Sequence, residues 1–423
     1  MITAPPTMKP QDNAPPSASL SLLQLVSESI LVNLLPVMAL RPSRILQVRY
    51  AESGKGTRLD QAASHFRQAL QALAQEPAFK GYQPKVTDIT LAGASPDIAD
   101  TRELIATTLL SNPGMVINFS GGTKLMSIGT YLAAMALGRP SFACDPEAQR
   151  FTNGRTAPLD RLPDLPGLNK HFSIRLLLAV QGRNLDEWRS ETATDPLRAF
   201  GLKAFELRNQ HWGVLDNFNK ALRAHFYTQG DKIPADEETI RSLATKPLPA
   251  NVTATEPARQ FLTAAAAAGL VKIEGANFRL HVPQFTRRAV ERAVHLLTAG
   301  WIELAVLDCL QRNPRYQTPL WNFELASQQA SAHDDNDIVC IDSKRGALNL
   351  ICCKAALTRS PHDHLESFAE RVQRLGANAT GMFVLFKPAS GQESAIRNHA
   401  RRLGIEVAIE ADEIVKAFSP HVK

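Results

Sequence analysis

The sequence predicts an α/β protein with a parallel sheet at its N-terminal end, a helical segment in the middle and a second α/β unit at its C-terminal end. Strand-like and helix-like segments alternate over the first 150 residues, which indicates a doubly wound parallel sheet. From Gly300 onward, one helix precedes three strands, a second helix and a further strand. A chain of 423 residues exceeds the usual capacity of one hydrophobic core, so we expect two or three such units.

The composition is that of a soluble globular chain, with 44% hydrophobic residues and a formal net charge of +6. A basic balance favours a polyanionic partner, although ordinary surface charge explains this value almost as well. The chain has five cysteines and no C-x-x-C pair, which argues against a disulfide framework or structural zinc site and favours the reducing cytoplasm. Residues 1–18 are rich in proline and polar residues, and we expect them to form a disordered tail.

Alternating strand-like and helix-like segments predict that the first unit, residues 19–175, is built on a parallel sheet. Its opening apolar stretch, residues 20–40, is interrupted by Ser27, Glu28 and Asn33, so we predict a strand, a turn and a helix there and no membrane anchor. In a sheet with strand order 3-2-1-4-5, the first and fourth strands flank the ligand-binding position. The predicted strands are 22–26, 44–50, 86–91, 115–119 and 141–144, and the predicted helices are 30–40, 59–75, 98–110 and 123–137.

A candidate ligand site follows the fourth predicted strand, where residues 118–124 read NFSGGTK. Gly121 and Gly122 allow the backbone to approach a ligand closely, and the free N–H groups of the following helix favour an anion. Lys124 adds a positive charge. The loop matches neither G-x-x-x-x-G-K-[ST] nor G-x-G-x-x-G, which argues against an ATPase loop and a dinucleotide site. A tight turn that only serves helix–sheet packing is the alternative.

The same segment, extended to NFSGGTKLMSIGTYLAA, resembles the signature of CARF domains, the Rossmann-like cyclic-oligoadenylate sensors of type III CRISPR systems. The resemblance spans residues 20–150. It implies a homodimer that binds a ring of 3′–5′-linked adenylates, because a symmetric ring of phosphates suits two identical loops facing each other across a two-fold axis. The ligand-binding residues that the resemblance implies are Ser27, Asn118, Ser120, Gly121, Gly122, Thr123, Lys124 and Met126.

The middle segment, residues 176–290, is predicted to be helical and to contain a small winged-helix-like element. A helix ends at Gly269, and two short β segments, 270–273 and 278–282, flank the turn EGAN. This element is either a DNA-binding wing that uses Lys272 and Arg279 or a structural spacer or dimerisation module. Because no basic recognition helix precedes the wing, the second interpretation is favoured.

The C-terminal segment, residues 291–423, carries three residues whose types and order suit phosphodiester cleavage. Glu303 lies near the start of a predicted helix, Asp337 opens a predicted strand and Lys354 ends the next strand. Carboxylates hold divalent metals, which activate water and neutralise the scissile phosphate, and a lysine orients the nucleophile.

The motifs AGWIEL, DDNDIV and CCK in this segment resemble the restriction-endonuclease-like PD-(D/E)xK core of CARF-linked nucleases. The resemblance implies that Glu303, Asp337 and Lys354 are catalytic residues. It also implies a divalent metal, Mg²⁺ or Mn²⁺, held by Glu303 and Asp337, and a nucleic acid substrate. Whether that substrate is DNA or RNA is left open by the sequence.

The sequence departs from this family at Cys352, which occupies the position of the second-strand glutamate in the catalytic set. Strand alternation places Cys352 and Lys354 on one face, so the thiol is expected to point at the metal. A thiol is a poor ligand for Mg²⁺, although a softer ion accepts it. Either Glu324, Asp334 or Asp335 supplies the missing carboxylate, or the nuclease fold has lost its activity.

Together these patterns predict a cytoplasmic homodimer that a cyclic oligoadenylate activates as a metal-dependent nuclease in CRISPR antiviral defence. Ligand binding between two sensor domains is expected to shift the relative pose of two nuclease domains. The alternative is a ligand-responsive regulator with a winged helix and a catalytically degenerate nuclease fold. A third interpretation is a sensor that slowly cleaves its own ligand.

Overall fold

The computed structural model describes residues 20–51, 57–91, 97–146, 148, 150–154, 165–183, 188–227, 233–234, 236–325, 334–356, 361–376 and 378–419. The predicted disordered tail, residues 1–18, lies outside them. The chain divides into two compact units, residues 1–185 with 344–346 and residues 186–343 with 347–423. The boundary between them lies beyond residue 175, the predicted end of the first unit.

The first unit is built on a mostly parallel sheet whose described strands have the order β3-β2-β1-β4-β5-β6. These strands are β1 (Ser21–Leu25), β2 (Arg44–Tyr50), β3 (Lys85–Leu91), β4 (Val116–Asn118), β5 (Ser141–Asp145) and β6 (Arg150–Gly154). β1 pairs in parallel with both β2 and β4, so the condition set above for the ligand-binding position, the order 3-2-1-4-5, is met and the strand order reverses between β1 and β4. β6, which the sequence did not indicate, adds to β5 in the antiparallel direction.

The described helices of the first unit are α1 (Leu31–Leu40), α2 (Arg58–Leu73), α3 (Ile98–Leu110), α4 (Lys124–Ala136), α5 (Leu165–Asn169) and α6 (Ile174–Val180), with a 3₁₀ turn at Pro77–Phe79. Side-chain caps explain why α2, α3 and α4 begin near their predicted positions. Thr57, Asp97 and Thr123 each accept a backbone N–H from the first turn of the helix that follows.

The pair α3 and α4 covers one face of this sheet and positions the loop that precedes α4. Leu23, Leu25 and Ile117 on the sheet belong to one buried cluster with residues of both helices. Gly129 on α4 permits a close approach, since a Cβ there would lie 2.8 Å from the carbonyl oxygen of Ile98 on α3. The N-terminus of α4 is therefore fixed directly above the carboxyl end of β4.

The second unit contains a mixed sheet whose described strands have the order β14-β13-β12-β11-β10-β7. Its strands are β7 (Trp188–Glu191), β10 (Tyr316–Leu325), β11 (Asp334–Asp342), β12 (Ala347–Ala356), β13 (Ala379–Lys387) and β14 (Glu406–Ile409), and a separate hairpin joins β8 (Val271–Glu274) to β9 (Asn277–Leu280). The three predicted strands after Gly300 are the antiparallel run β10, β11 and β12, and β13 follows in parallel. The hairpin lies where the two short β segments were predicted.

The described helices of the second unit are α7 (Asp195–Phe226), α8 (Glu237–Thr245), α9 (Ala250–Thr253), α10 (Glu256–Ala267), α11 (Arg287–His295), α12 (Trp301–Arg312), α13 (Pro361–Arg374), α14 (Glu393–Arg402) and α15 (Glu410–Phe418). A π-helical turn, Leu296–Gly300, joins α11 to α12. Among the described helices, only this continuous stretch, Arg287–Arg312, is long and apolar enough to cross a membrane. Because 83% of its apolar window is buried inside the protein, it is a core helix.

The middle helices and the C-terminal sheet share one hydrophobic core. Phe200 on α7 and Phe261 on α10 pack edge to face, with ring centroids 5.3 Å apart. Trp301 on α12 packs against Phe386 on β13 at 5.0 Å, and both belong to the same buried cluster as Phe200 and Phe261. The sequence predicted residues 176–290 as a separate middle segment. From β7 onward, this segment is packed as part of the second unit.

Candidate functional site

The loop between β4 and α4 packs tightly against the turn that follows β1. The N–H of Gly122 donates to the carbonyl oxygen of Val26 at 3.0 Å. A Cβ on Gly121 would lie 2.3 Å from the carbonyl oxygen of Leu25, so no side chain fits there. Gly122 has a φ of +72°, which favours glycine. Both glycines are therefore required for the loop to lie against the first strand.

Asn118 and Ser120 hold this loop in shape from inside. The side chain of Asn118 is fully buried, and its Nδ2 donates to the carbonyl oxygen of Val32 on α1 at 2.8 Å. Its Oδ1 accepts the backbone N–H of Ser120 at 3.1 Å and also the Ser120 hydroxyl. The Ser120 hydroxyl oxygen in turn accepts the N–H of Cys144 on β5. Both polar atoms of the Asn118 side chain are thus hydrogen-bonded to other groups of the protein.

The start of α4 presents the groups suited to an anion. Thr123 caps the helix, its Oγ1 accepting the N–H of Met126 at 3.3 Å. Lys124 is exposed, whereas Met126 is buried in the core beneath the loop. Ser27, on the facing turn, is half-buried and accepts the N–H of Ser29 at 3.2 Å. Free N–H groups at a helix N-terminus beside a lysine form an electropositive surface.

An exposed apolar stripe runs along α4 on the side away from its buried residues. Spacings of three and four place these side chains on one face of the helix. They are Leu125, Ile128, Tyr131, Leu132 and Met135, each between 36% and 51% exposed. Contiguous exposed apolar surface of this kind marks an interaction site more often than a free surface.

A second site lies in the second unit, where the structure brings together Glu303, Asp337 and Lys354. Lys354 Nζ lies 3.8 Å from Asp337 Oδ2, and the N–H of Cys353 donates to the same oxygen at 2.6 Å. Glu303, on α12, is buried. Burial raises the pKa of Asp337; Lys354 acts against this, and the nearby Glu303 carboxylate adds to it. The negative charge of Glu303 disfavours the ionised form of Asp337, and a bound cation would favour it.

The sequence missed two residues of this site, His295 and Trp321, which hold both oxygens of Glu303. His295 Nε2 lies 2.9 Å from Glu303 Oε1, and Trp321 Nε1 donates to Oε2 at 3.0 Å. Burial acts to raise the pKa of Glu303, but the hydrogen bond and charge of His295, together with the Trp321 hydrogen bond and the charge of Lys354, hold that pKa below its ordinary value. Only the fold identifies this pair, since neither residue has a sequence spacing that connects it with Glu303.

Cys352 lies where strand alternation predicts, on the opposite face of β12 from Cys353. Cys353 belongs to the large core cluster, whereas Arg371 on α13 lies near Cys352, with Nη2 3.8 Å from Sγ. Burial raises the pKa of the Cys352 thiol to about 11, and Asp337 adds to this shift, so the thiol is neutral at pH 7. The position at which the sequence resemblance implies a glutamate therefore carries no charge in this chain.

Of the three residues proposed to replace that glutamate, the structure describes the side chain of Glu324 alone. Glu324 Oε1 forms an ion pair with Arg288 Nη2 at 3.5 Å. Glu324 lies on β10, which β11 separates from the strand of Cys352, β12. The side chains of Asp334 and Asp335 lie outside the described residues.

The donor set fits a hard divalent ion that is held partly by water. The described residues contain no group of three or more His, Cys, Asp or Glu side chains that could hold a metal. Mg²⁺ is commonly bound by one or two carboxylates together with water and substrate phosphates. The carboxylates of Asp337 and Glu303 meet that requirement, and the repulsion between them favours a cation.

The structure combines a mostly parallel α/β sheet, with a glycine-containing loop at its switch point, and a carboxylate–lysine cluster on a second, mixed sheet in one chain. No protein-family model matches the sequence, and no curated protein matches it. The chain is similar in structure to Can2 from Sulfobacillus thermosulfidooxidans in complex with cyclic tetra-adenylate (cA4), with a TM-score of 0.64 and 16% identity over 94% of this chain and 97% of that one.

Two further solved structures are similar. Protein VC1899 from Vibrio cholerae has a TM-score of 0.64 and 15% identity, over 94% of this chain and 95% of that one. A type III CRISPR defence DNA nuclease activated by cyclic oligoadenylate has 19% identity over 89% of this chain and 46% of its own, and its TM-score of 0.45 is too low to argue from. At these identities the first two comparisons establish a shared fold.

Replacing Asn118 with alanine is expected to destabilise the first unit by about 1–3 kcal/mol, because Val32 and Ser120 each lose a buried partner. Hydrogen exchange in peptides that span β4 and α4 measures this loss. Ser127→Ala, which removes one part-buried hydrogen bond to Gly121, is the control and should cost about 1 kcal/mol or less. Unchanged protection in Asn118→Ala would contradict the role assigned to the buried amide.

Proposed function

We propose that this protein is a cyclic-oligoadenylate-responsive nuclease of type III CRISPR defence that works as a homodimer. The observation that carries the proposal is the fold shared with Can2 over nearly the whole chain, in a solved structure that contains cyclic tetra-adenylate. The loop at the switch between β1 and β4 supplies the ligand site, and the cluster of Asp337, Glu303 and Lys354 supplies the cleavage site.

The proposed ligand site uses the loop in two ways. Lys124 and the N-terminal N–H groups of α4 bind phosphate, with Ser27, Ser120 and Thr123 as polar neighbours. Gly121, Gly122, Asn118 and Met126 act from within, by fixing the loop against the sheet. A cyclic oligoadenylate repeats the same phosphate around a ring, so a second copy of the loop would meet an equivalent phosphate.

The proposed dimer forms through the apolar stripe on α4. This helix begins at the ligand loop, so a second copy that packs on the stripe brings its own loop to the same ring. Isologous contacts of this kind use the same surface on both partners, and a two-fold symmetric ligand requires such an arrangement. A second copy of this chain is therefore the partner that suits both the stripe and the loop.

In the proposed cleavage site, Asp337 and Glu303 would hold the divalent metal, Mg²⁺ or Mn²⁺. When bound, such an ion activates water and neutralises the scissile phosphate. Lys354 has its ammonium group beside Asp337, where it can donate to a phosphate oxygen or to the attacking water. Cys353 holds Asp337 in place through its backbone N–H, so the orientation of that carboxylate does not depend on the metal.

One observation favours the second candidate function, a ligand-responsive regulator whose nuclease fold is inactive. Cys352 offers a neutral, buried thiol where the related nucleases have a carboxylate. Cleavage assays with single- and double-stranded DNA and RNA, in Mg²⁺ and in Mn²⁺, with and without cyclic tetra-adenylate, separate the two functions. Ligand binding without cleavage on any substrate supports the regulator.

Lys124→Ala is expected to weaken cyclic tetra-adenylate binding by about tenfold or more, because a charge-assisted hydrogen bond contributes roughly 1.5–3 kcal/mol. Gly122→Val should have at least as large an effect, since its backbone has a φ of +72° and its Cβ would lie 3.2 Å from Leu25. Isothermal titration calorimetry measures both, and Lys80→Ala, an exposed lysine after the 3₁₀ turn, is the control. Undiminished affinity in both loop variants would exclude this site.

Ile128→Glu is expected to dissociate the dimer at micromolar concentration, because the charge is placed in the centre of the apolar stripe. Val415→Glu is the matched control, since Val415 on α15 is 46% exposed against 45% for Ile128. Sedimentation velocity measures both variants. A dimer that withstands Ile128→Glu, or a wild-type monomer, would rule out α4 as the interface.

Cys352→Glu is expected to increase ligand-dependent cleavage in Mg²⁺, because it places a hard oxygen on the same face of β12 as Lys354. The uncharged Cys352→Gln should give no such gain, and adding Asp337→Ala to Cys352→Glu should abolish it. Initial cleavage rates of a labelled substrate measure these effects. Vigorous wild-type cleavage that survives Asp337→Ala would mean that the cleavage site lies elsewhere.

A further inference from the structure

We infer that His295 is a positioning residue of the carboxylate–lysine site, and that a π-helical turn in the core helix brings it into contact with Glu303. The inference rests on the proposed nuclease for its catalytic meaning, while the contact itself is a property of the fold. Three independent features support it: the hydrogen bonds of Glu303, the helical geometry between the two residues, and the space left by Gly300.

The carboxylate of Glu303 is held at both oxygens. His295 contacts Oε1 and Trp321 donates to Oε2, so rotation of the carboxylate breaks one bond or the other. The side chain of Glu303 is 7% exposed, whereas that of His295 is 51% exposed. The charges of Asp337 and Lys354 also act on His295. His295 therefore lies at the solvent side of the cluster and orients a carboxylate that solvent barely reaches.

An uninterrupted α-helix would not bring these two residues together. His295 and Glu303 are eight positions apart, and eight residues of regular α-helix leave their side chains about 80° apart around the axis. The turn Leu296–Gly300 is π-helical and takes up one additional residue. Eight residues that include the π turn therefore rotate around the helix axis about as far as seven residues of regular α-helix. The angle between the two side chains around that axis then falls to about 20°. The π turn thus places His295 and Glu303 on one face.

Gly300 provides the room for the imidazole. A Cβ at this position would lie 2.9 Å from Cδ2 and 3.0 Å from Nε2 of His295. Contacts that short require the ring to move away, and Nε2 is the atom that meets Glu303. Glycine at this position therefore lets the ring stay where its Nε2 meets Glu303.

Two side chains from α7 stabilise the π turn by donating hydrogen bonds to its backbone carbonyl oxygens. Arg208 Nη2 donates to the carbonyl oxygen of Leu297 at 3.1 Å, and Asn219 Nδ2 donates to that of Thr298 at 3.0 Å. Arg208 is fully buried, and its guanidinium lies 5.0 Å from the ring centres of both Phe261 and Trp301. A buried arginine with these partners indicates that the irregular turn is a built feature of the core.

The experiment compares His295→Ala, His295→Gln and Gly300→Ala with Gly213→Ala, a helical glycine on α7 whose added Cβ would meet nothing within 4 Å. The first measurement is Mn²⁺ affinity, from the electron paramagnetic resonance signal of free Mn²⁺. Loss of a residue that orients a metal ligand typically weakens metal binding by about 10–100-fold. We expect that loss in His295→Ala and Gly300→Ala. His295→Gln should retain most of the affinity, since its amide N–H reaches the same oxygen.

The second measurement needs neither metal nor cleavage. The chain has four tryptophans, so 5-fluorotryptophan labelling yields four ¹⁹F resonances, and Trp321→Phe assigns that of Trp321. In the metal-free full-length protein, His295→Ala and Gly300→Ala should shift the Trp321 resonance, because the carboxylate that accepts its N–H is no longer fixed. Gly213→Ala should leave it unchanged.

The outcomes separate the inference from the proposed function. If the wild type neither binds Mn²⁺ nor cleaves, the nuclease proposal fails, while a shifted Trp321 resonance in His295→Ala still supports the positioning of Glu303. Suppose that the wild type is active. If His295→Ala then has the same Trp321 resonance and the same Mn²⁺ affinity as the wild type, His295 is not a positioning residue. Equal losses in His295→Ala and His295→Gln would also overturn the inference, since the conservative variant keeps the donor.

Discussion

Both sites depend on one constraint, that a buried polar group must find a partner inside the protein. In the first unit this group is Asn118, whose amide joins the end of β4 to α1 and to the ligand loop. In the second unit these groups are Glu303 and Arg208. The hydrogen bond from His295 fixes the carboxylate of Glu303, and the hydrogen bond from Arg208 to Leu297 fixes the π turn. The shapes of the two sites proposed to bind ligand and substrate are determined by these internal bonds.

The carboxylate–lysine site brings groups of opposite charge together with one neutral thiol. Two carboxylates, Glu303 and Asp337, face Lys354 and the half-exposed His295, and the neutral thiol of Cys352 lies near Arg371. A glutamate in place of Cys352 would add a third negative charge and a third hard ligand. In the proposed cleavage site, the neutral thiol leaves two carboxylates to hold a metal, so weak metal affinity is expected if that proposal is correct.

Much of the fold could be predicted because its signals are local. β2 and α3 have the predicted ends, and the parallel pairing of β1 to β5 follows from the alternation of strands and helices, whereas their order in the sheet does not. The edge strands β6 and β7 could not be predicted, because each is short and is defined by the neighbour to which it adds. The residues of the ligand loop were identified in the sequence, but their roles were not: Asn118 and Met126 are buried and act on the loop from inside.

By itself the sequence determined the alternating elements, the small-residue loop before α4 and the carboxylate–lysine set with its cysteine, since each is a pattern of neighbouring residue types. Only the tertiary structure decided that the middle helices share a core with the C-terminal sheet and that His295 and Trp321 hold Glu303. The physical reason is distance along the chain. Trp321 comes from a strand, and His295 reaches Glu303 only because a π turn, stabilised by α7, changes the helical phase between them.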